Sequence, residues 1–207
     1  ETVRSLDGSD MGDDDARKLT RMAIPMAKAM SGKFAIFAVS ECMEQVGGNG
    51  YIEENILPRL QRDCQVLPIW EGTTHILTLD LLRAIQKEKS DVAFFTRIEK
   101  ALKTAAKFKE QVEHVQERVE RDQLALKALL KSNADDQQRD ARQWLESAAR
   151  TFSLALLLEQ AVHNPLKDVC LASFKRLVPR PFFTAPVNSG QPSQVTDTER
   201  VLLASVR

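Results

Sequence analysis

Glu71 ends an apolar connector, Leu67-Pro68-Ile69-Trp70, and is followed by Gly72 and Thr73. Such neighbours are expected to keep water from the carboxylate, which disfavours its charged form and raises its pKa. A base tuned in this way takes a weakly acidic proton, such as one on the carbon beside a carbonyl, better than a solvated carboxylate does. Gly72 lets a ligand approach the backbone closely, and the Glu71 N–H could polarise a carbonyl oxygen. The other reactive residue types offer less. His75, His114 and His163 are scattered with no carboxylate or thiol at ligand spacing, so no metal site is expected. Cys42, Cys64 and Cys170 are an odd, widely spaced set without a CxxC pair, which reads as reduced buried thiols in an intracellular protein.

The elements that must position Glu71 are helical. Leu, Ala, Glu, Lys, Arg and Gln dominate the 207 residues, and the apolar share of 43% supports a real core. Residues 1–15 are polar, with Gly8, Gly12 and five aspartates, and are expected to be a loop belonging to a longer polypeptide. Asp13 to Asp15 suit a helix N-terminus, and a helix is expected over 16–46, kinked or broken at Pro25 and Gly32. Its apolar side is Met22, Met26, Met30, Phe34, Phe37 and Met43. Gly47-Gly48-Asn49-Gly50 stops it, residues 51–58 form a loop closed by Pro58, and a short helix runs over 59–65. Thr73 is the expected N-cap of a helix to about Lys87, with Ile76, Leu79, Leu82 and Ile85 as its apolar positions.

Beyond residue 90 the pattern changes. Phe94, Ile98, Ala101, Ala105, Phe108, Val112, Val115 and Val119 alternate spacings of four and three, which implies one long helix against a partner. Asn133-Ala134-Asp135-Asp136 signals a turn, and Trp144, Ala148, Phe152, Ala155, Leu158 and Val162 mark a returning helix that Asn164-Pro165 ends. A shorter helix near 166–177, an extended stretch from Pro179 to Pro192 and a short helix over 196–205 complete the expectation. The fold class is all-α: a helical bundle followed by a long antiparallel helical pair.

Charge excludes some classes of partner. Formal net charge is zero, with residues 1–92 roughly four units negative and the remainder roughly four positive. No long-range field attracts nucleic acid or an anionic membrane. No uninterrupted apolar run is long enough for a membrane span, and no secretory signal opens the chain. The one basic concentration is Lys167, Lys175, Arg176 and Arg180, interleaved with Phe174, Phe182 and Phe183, and nucleic-acid contact stays open there as a minor alternative.

Three motifs in order carry a family resemblance. Glu44-Gln45-Val46-Gly47-Gly48-Asn49-Gly50-Tyr51 resembles the GGxGY turn of the acyl-CoA dehydrogenases, Arg59-Leu60-Gln61-Arg62-Asp63 their R-x-x-R-D element, and Ile69-Trp70-Glu71-Gly72-Thr73 their catalytic [IL]-[YWF]-E-G-T segment. The match is firm over about 16–90 and resembles the C-terminal bundle of that family. The resemblance implies an FAD-dependent α,β-dehydrogenation of an acyl-CoA thioester, with Glu71 as base and the flavin as hydride acceptor. It implies FAD contacts from Glu44, Gln45, Val46, Gly47 and Gly48, and from Thr73, Thr74 and His75 at a helix start, where N–H groups suit an anion. Trp70 and Gly72 would lie against substrate, while Tyr51, Arg59, Arg62 and Asp63 would hold local structure. Electron-transfer flavoprotein or a similar acceptor and a homotetramer are the implied partners. The implied location is mitochondrial in a eukaryote and cytoplasmic in a bacterium.

Two positions depart from the short- and medium-chain members: Glu44 stands where they have Gln, and Thr74-His75 where they usually have Ser-Gln. Trp70 and the wording of its segment are most similar to the AidB-like branch, associated with alkylation response, which also carries a helical extension. Residues 91–207 are assigned to such an extension. The fragment alone is not expected to catalyse. The alternatives are a non-catalytic protein that senses acyl-CoA or binds DNA, and an oligomerisation module formed by 91–207.

Overall fold

A computed structural model describes residues 1–163 and 167–178, and every regular element among them is a helix. The helices are α1 (Thr2–Asp10), α2 (Asp14–Val46), a short 3-10 turn (Gly47–Gly50), α3 (Ile56–Val66), α4 (Thr74–Glu88), α5 (Ser90–Thr104), α6 (Lys109–Lys131), α7 (Ala134–His163) and α8 (Lys167–Leu177). The expected stop at Asn164-Pro165, the Pro179–Pro192 stretch and the helix over 196–205 lie outside the described residues.

The expected loop over 1–15 is mostly helix α1. Ser5 on α1 is buried, and Glu1 at its start accepts two hydrogen bonds from Arg97, at 2.7 and 3.0 Å. Arg97 also donates to Glu159 at 2.5 Å, so one guanidinium ties α1 to α5 and α7. Polar composition hid this helix because it is held by an ion pair and a crossing, not by an apolar stripe.

Helix α2 starts as its aspartates suggest, with the Asp13 carboxylate accepting from the N–H groups of Asp15 and Ala16 at 2.9 and 3.1 Å. It then runs through Pro25 and Gly32 as one 33-residue helix, so of the expected kink or break there is no break. Gly32 is a crossing point: a Cβ built there lies 3.4 Å from the backbone carbon and Cβ of Leu67 and from the nitrogen of Pro68. Ala fits at that distance and removes the helical penalty of glycine, so Gly32→Ala should be neutral or stabilising by up to about 1 kcal/mol. Gly32→Leu should push the connector away and destabilise; urea unfolding of the two variants checks both signs.

Helix α2 also has the length and composition of a membrane-crossing segment, with mean hydropathy 1.3 over its most apolar window. Core helices meet the same criterion, and Leu19, Met22, Ala23, Met26 and Ala29 lie in the interior here. Phe34 and Phe37, expected on the same apolar side, are exposed. Helix α4 lies antiparallel to the first half of α2 and is bound to it by polar pairs. Arg17 meets Glu88 at 2.8 Å, and Arg21 meets both Glu88 at 3.2 Å and Asp80 at 3.1 Å. The buried positions of α4 are Thr74, Thr78, Leu81, Leu82, Ala84 and Ile85, while Ile76, expected inside, is 55% exposed.

The expected long helix over 94–119 is two helices, broken at Ala105–Phe108. Its apolar stripe is nonetheless buried throughout except at Phe108, which is half-buried at the corner with the Lys107 ammonium 5.1 Å from its ring centre. The corner lets α5 pack on α2 and α7 while α6 pairs mainly with α7. The turn before α7 is tighter than expected, because Asn133 caps the helix by accepting from the Asp136 N–H at 2.9 Å. Helices α6 and α7 then form the expected antiparallel pair. One continuous core joins Met22 and Met26 of α2 and Leu81 of α4 to Phe94, Val115, Trp144 and Phe174 of the later helices. Among the described residues, therefore, the segments before and after residue 90 pack as one body. Of the cysteines, all free, Cys170 is buried, Cys64 is intermediate and Cys42 is exposed, so burial holds for one of three.

Candidate functional site

Helix α3 brings the chain back along α2 from the glycine turn. Asn55 caps it, its side chain accepting from the Leu57 N–H at 3.1 Å, and Pro58 lies in its first turn, not in the preceding loop. After Val66 the chain continues in turns, with Ile69 N–H and Trp70 N–H both donating to the Val66 carbonyl at 2.9 and 3.1 Å. Glu71 then takes a left-handed conformation, φ 53°, followed by Gly72 at φ 101°. A left-handed glutamate costs roughly 1–2 kcal/mol, and such strain collects where geometry matters. Thr73 next caps α4, its hydroxyl accepting from the Ile76 N–H at 3.5 Å, as expected.

Two reversals in succession thus point Glu71 outward at the start of α4. The carboxylate is exposed, and so are Leu67, Ile69 at 62% and Trp70 at 55%. The expected apolar enclosure is therefore absent among the described residues: the side chains that should surround the carboxylate stand beside it and face outward. The Glu71 N–H has no acceptor among the described residues, which leaves it open to a ligand carbonyl.

Sequence reasoning missed Lys28. Its ammonium donates to the Trp70 carbonyl at 2.8 Å and also to the Gly72 carbonyl, bridging the Trp70–Glu71 and Gly72–Thr73 peptides of the turn. A signal existed: Arg17, Arg21, Lys28 and Gly32 recur at spacings of four, seven and four, which puts them on the α2 face that meets α4 and the connector.

The residues that the resemblance assigns to FAD fall into two separated groups. Glu44 to Gly48 are exposed at the far end of α2, sixteen and more residues beyond Lys28. At 1.5 Å per residue that end lies on the order of 20 Å from the Glu71 turn. The structure does not bring them together at one point. Each group alone is accessible. The exposed Thr73 and His75 stand at the α4 N-terminus, where the helix dipole suits an anionic moiety. Thr74 is buried, its carbonyl accepting from the Thr78 hydroxyl at 2.7 Å, so its side chain is not on offer. The α2 C-terminus, with its carbonyls and Glu44, suits hydrogen-bond donors and not a phosphate. An extended cofactor with its anionic part at α4 fits these residues.

The glycines divide in the same way. A Cβ at Gly50 would lie 2.6 Å from the Met43 carbonyl oxygen, so the fold itself requires that glycine. At Gly48 a Cβ meets nothing within 4 Å and φ is not positive. Gly48→Ala should therefore leave thermal stability within about 0.5 kcal/mol of the parent, an ordinary surface effect, yet lower flavin retention if that backbone meets the cofactor. Gly50→Ala should lose stability itself; comparing melting and bound flavin for both variants reads the difference.

Of the residues expected to hold local structure, Arg62 grips Glu53 with two bonds at 2.8 and 3.0 Å, and Arg59 pairs with Asp63 at 3.7 Å. Tyr51 instead is 79% exposed beside a cleft it lines with Met43, Ile52, Pro58 and Arg62. In the basic stretch, Phe174 is buried in the core and edge-on to His114, so it is not available to stack on a base. Arg180, Phe182 and Phe183 lie outside the described residues.

Comparison with known proteins agrees with the motif reading. Residues 7–86 match the acyl-CoA dehydrogenase C-terminal domain, and residues 92–205 match the acyl-CoA dehydrogenase 11 C-terminal domain-like family. Acyl-CoA dehydrogenase family member 11 of Caenorhabditis elegans is 37% identical over 171 residues, covering 78% of this chain and 28% of that protein. The putative acyl-CoA dehydrogenase AidB of Escherichia coli is 46% identical over 68 residues, 33% of this chain and 13% of that one. The crystal structure of Caenorhabditis elegans ACDH-11 in complex with C11-CoA superposes with a TM-score of 0.79 at 32% identity, over 89% of this chain and 33% of that chain. The chain thus spans less than a third of the curated relatives it matches. With its three motifs on one helical scaffold and its second half matching the domain that follows them, this chain belongs to the acyl-CoA dehydrogenase family.

Proposed function

We propose that the full-length polypeptide catalyses α,β-dehydrogenation of an acyl-CoA thioester and that Glu71 is its base. The observation that carries this reading is the strained, outward-facing Glu71 turn at the start of α4, beside exposed apolar side chains and a free backbone N–H. Glu71 removes the α-proton of the acyl group. Trp70 and Ile69 lie against the thioester end of the ligand and close off water once it is seated. The Glu71 N–H donates to the thioester carbonyl and spreads the charge that builds on its oxygen. Thr73 and His75 at the α4 start, and Glu44 to Gly48 at the α2 end, are the residues that would hold FAD. When bound, FAD supplies the acceptor for the β-hydride, so that the C–C bond becomes a double bond as the α-proton leaves. Electrons pass on to a flavoprotein-type acceptor.

The same fold in a relative crystallised with an acyl-CoA supports the ligand class. It equally supports a second reading, in which the protein binds and sequesters acyl-CoA without turning it over. Anaerobic addition of saturated acyl-CoAs of graded chain length to the full-length protein separates the two. Bleaching of the flavin at some chain length is expected. Tight binding at every length without bleaching would replace dehydrogenation with sequestration. Salt-sensitive retention of DNA, lost on neutralising Lys175, Arg176 and Arg180, would instead favour the nucleic-acid reading.

A further inference from the structure

We propose that Lys28 is a positioning residue for Glu71: its ammonium, by bridging the carbonyls of Trp70 and Gly72, holds the left-handed turn that aims the carboxylate. The inference rests on the reading of Glu71 as base.

The geometry has three parts. Glu71 and Gly72 both have positive φ, so the turn is a conformation that an L-glutamate does not keep unaided. The Trp70–Glu71 and Gly72–Thr73 peptides present their carbonyls to a single point, and Lys28 fills that point from a different helix. Two carbonyls converging on one site repel one another unless a cation or a multiple donor lies between them, and an ammonium supplies three donors and a charge. Lys28 is itself fixed. It rises from the α2 face that Arg21 pins to Asp80 and Glu88, one turn before Gly32 meets Leu67 and Pro68. The ion pairs set α2 against the C-terminal half of α4, and the crossing at Gly32 sets α2 against the connector. Lys28 lies between these two fixed points, at the level of the turn.

Removing the ammonium would let the Trp70–Glu71 and Gly72–Thr73 peptides rotate apart. Glu71 would then relax toward a right-handed conformation, which redirects its Cα–Cβ bond. The carboxylate would remain but would no longer meet the α-carbon. Lys28 touches neither substrate nor cofactor in this scheme, so its effect is on the chemical step and not on binding.

The test uses the full-length holoprotein with a saturated acyl-CoA. Lys28→Met is expected to lower kcat by about 10²-fold, the scale of an ångström of misplacement, with KM within about twofold of the parent. Amide hydrogen exchange at Trp70 and Ile76, whose N–H groups are hydrogen-bonded on either side of the turn, should accelerate while the melting temperature stays that of the parent. Lys28→Arg, which keeps donors for two carbonyls, should restore much of kcat. A kcat for Lys28→Met within twofold of the parent, or unchanged exchange at Trp70 and Ile76, overturns the proposal. If Lys28→Met does not fold, Lys28→Gln, with one donor pair and no charge, takes its place under the same criteria. Glu71→Gln is run alongside: if it keeps turnover, the base reading fails. If it loses turnover while the Lys28 variants keep theirs, only the positioning role fails.

Discussion

Glu71→Gln is expected to lower turnover of the full-length protein by about 10²–10⁴-fold, the usual contribution of a positioned base, while acyl-CoA affinity stays close to that of the parent. Glutamine keeps the size and polarity of the side chain and leaves φ 53° as it is, so the backbone N–H and the exposed Ile69 and Trp70 remain available to the ligand. Only the capacity to accept the α-proton is removed. Glu71→Gly makes the complementary point. It relieves the left-handed strain and should raise the unfolding free energy slightly, by up to about 1 kcal/mol, while also abolishing turnover. A functional residue held against its own backbone preference gives this opposite response of stability and activity. Parallel urea melts and steady-state assays on both variants test it, and a Glu71→Gln enzyme with more than a tenth of parental kcat would contradict it.

Trp144→Ala is expected to have the largest effect on stability, about 3–5 kcal/mol. Trp144 is 1% exposed at the centre of the α6–α7 pair, and its indole N–H donates to the Asp122 carbonyl at 2.9 Å. The same aspartate receives the Ser147 and Thr151 hydroxyls on its carboxylate, each at 2.6 Å. Removing the indole opens a void and leaves this polar knot partly exposed to it. Trp144→Phe should lose less, since most of the ring volume stays. Urea midpoints for the two variants give the order.

Asp122 adds a pH arm to that experiment. Burial pushes its carboxyl above the ordinary aspartate value, against the hydroxyl hydrogen bonds and the charges of Arg118 and Arg121. A folded-state pKa above the unfolded one means that the contribution of Asp122 to stability is full below the unfolded value. It is lost as pH rises through the folded value. Asp122→Asn removes that dependence, so its stability relative to the parent should improve as pH rises from about 4 toward neutrality. A parent and variant that track one another over that range would contradict the assignment.

The all-α class, the cap at Thr73, the helix start at Asp13 to Asp15 and the α6–α7 pair are legible because each is a local or periodic pattern. Asp13 and Thr73 carry the right side chain one step before a helix, and Trp144, Ala148, Phe152 and Ala155 recur at helical spacing. What could not be read depends on contacts far apart in sequence. Gly32 looked like a helix breaker because nothing near it shows Leu67 and Pro68 crossing 3.4 Å away. Residues 1–15 looked like a loop because their anchor, Arg97, lies far along the chain. The break at Ala105–Phe108 leaves the apolar spacing intact on both sides, so periodicity alone reads straight through it.

The site shows the same division. Motif spacing singles out Glu71, yet its apolar neighbours in sequence do not enclose it in space, because Ile69 and Trp70 turn outward. Lys28 stayed hidden because a lysine in an apolar helix reads as a solvated side chain until its acceptors, forty-odd residues later, are known.

The central claim, that the Glu71 carboxylate removes the α-proton of an acyl-CoA, is tested most directly by deuterium at that carbon. Full-length protein is mixed anaerobically with unlabelled and with α-dideuterated acyl-CoA, and the rate of flavin bleaching is followed for parent and Glu71→Gln. The account predicts slower bleaching of the parent with the deuterated substrate, and no bleaching of Glu71→Gln with either substrate. Bleaching of the parent at equal rates with both substrates, or bleaching of Glu71→Gln at the parental rate, would contradict it.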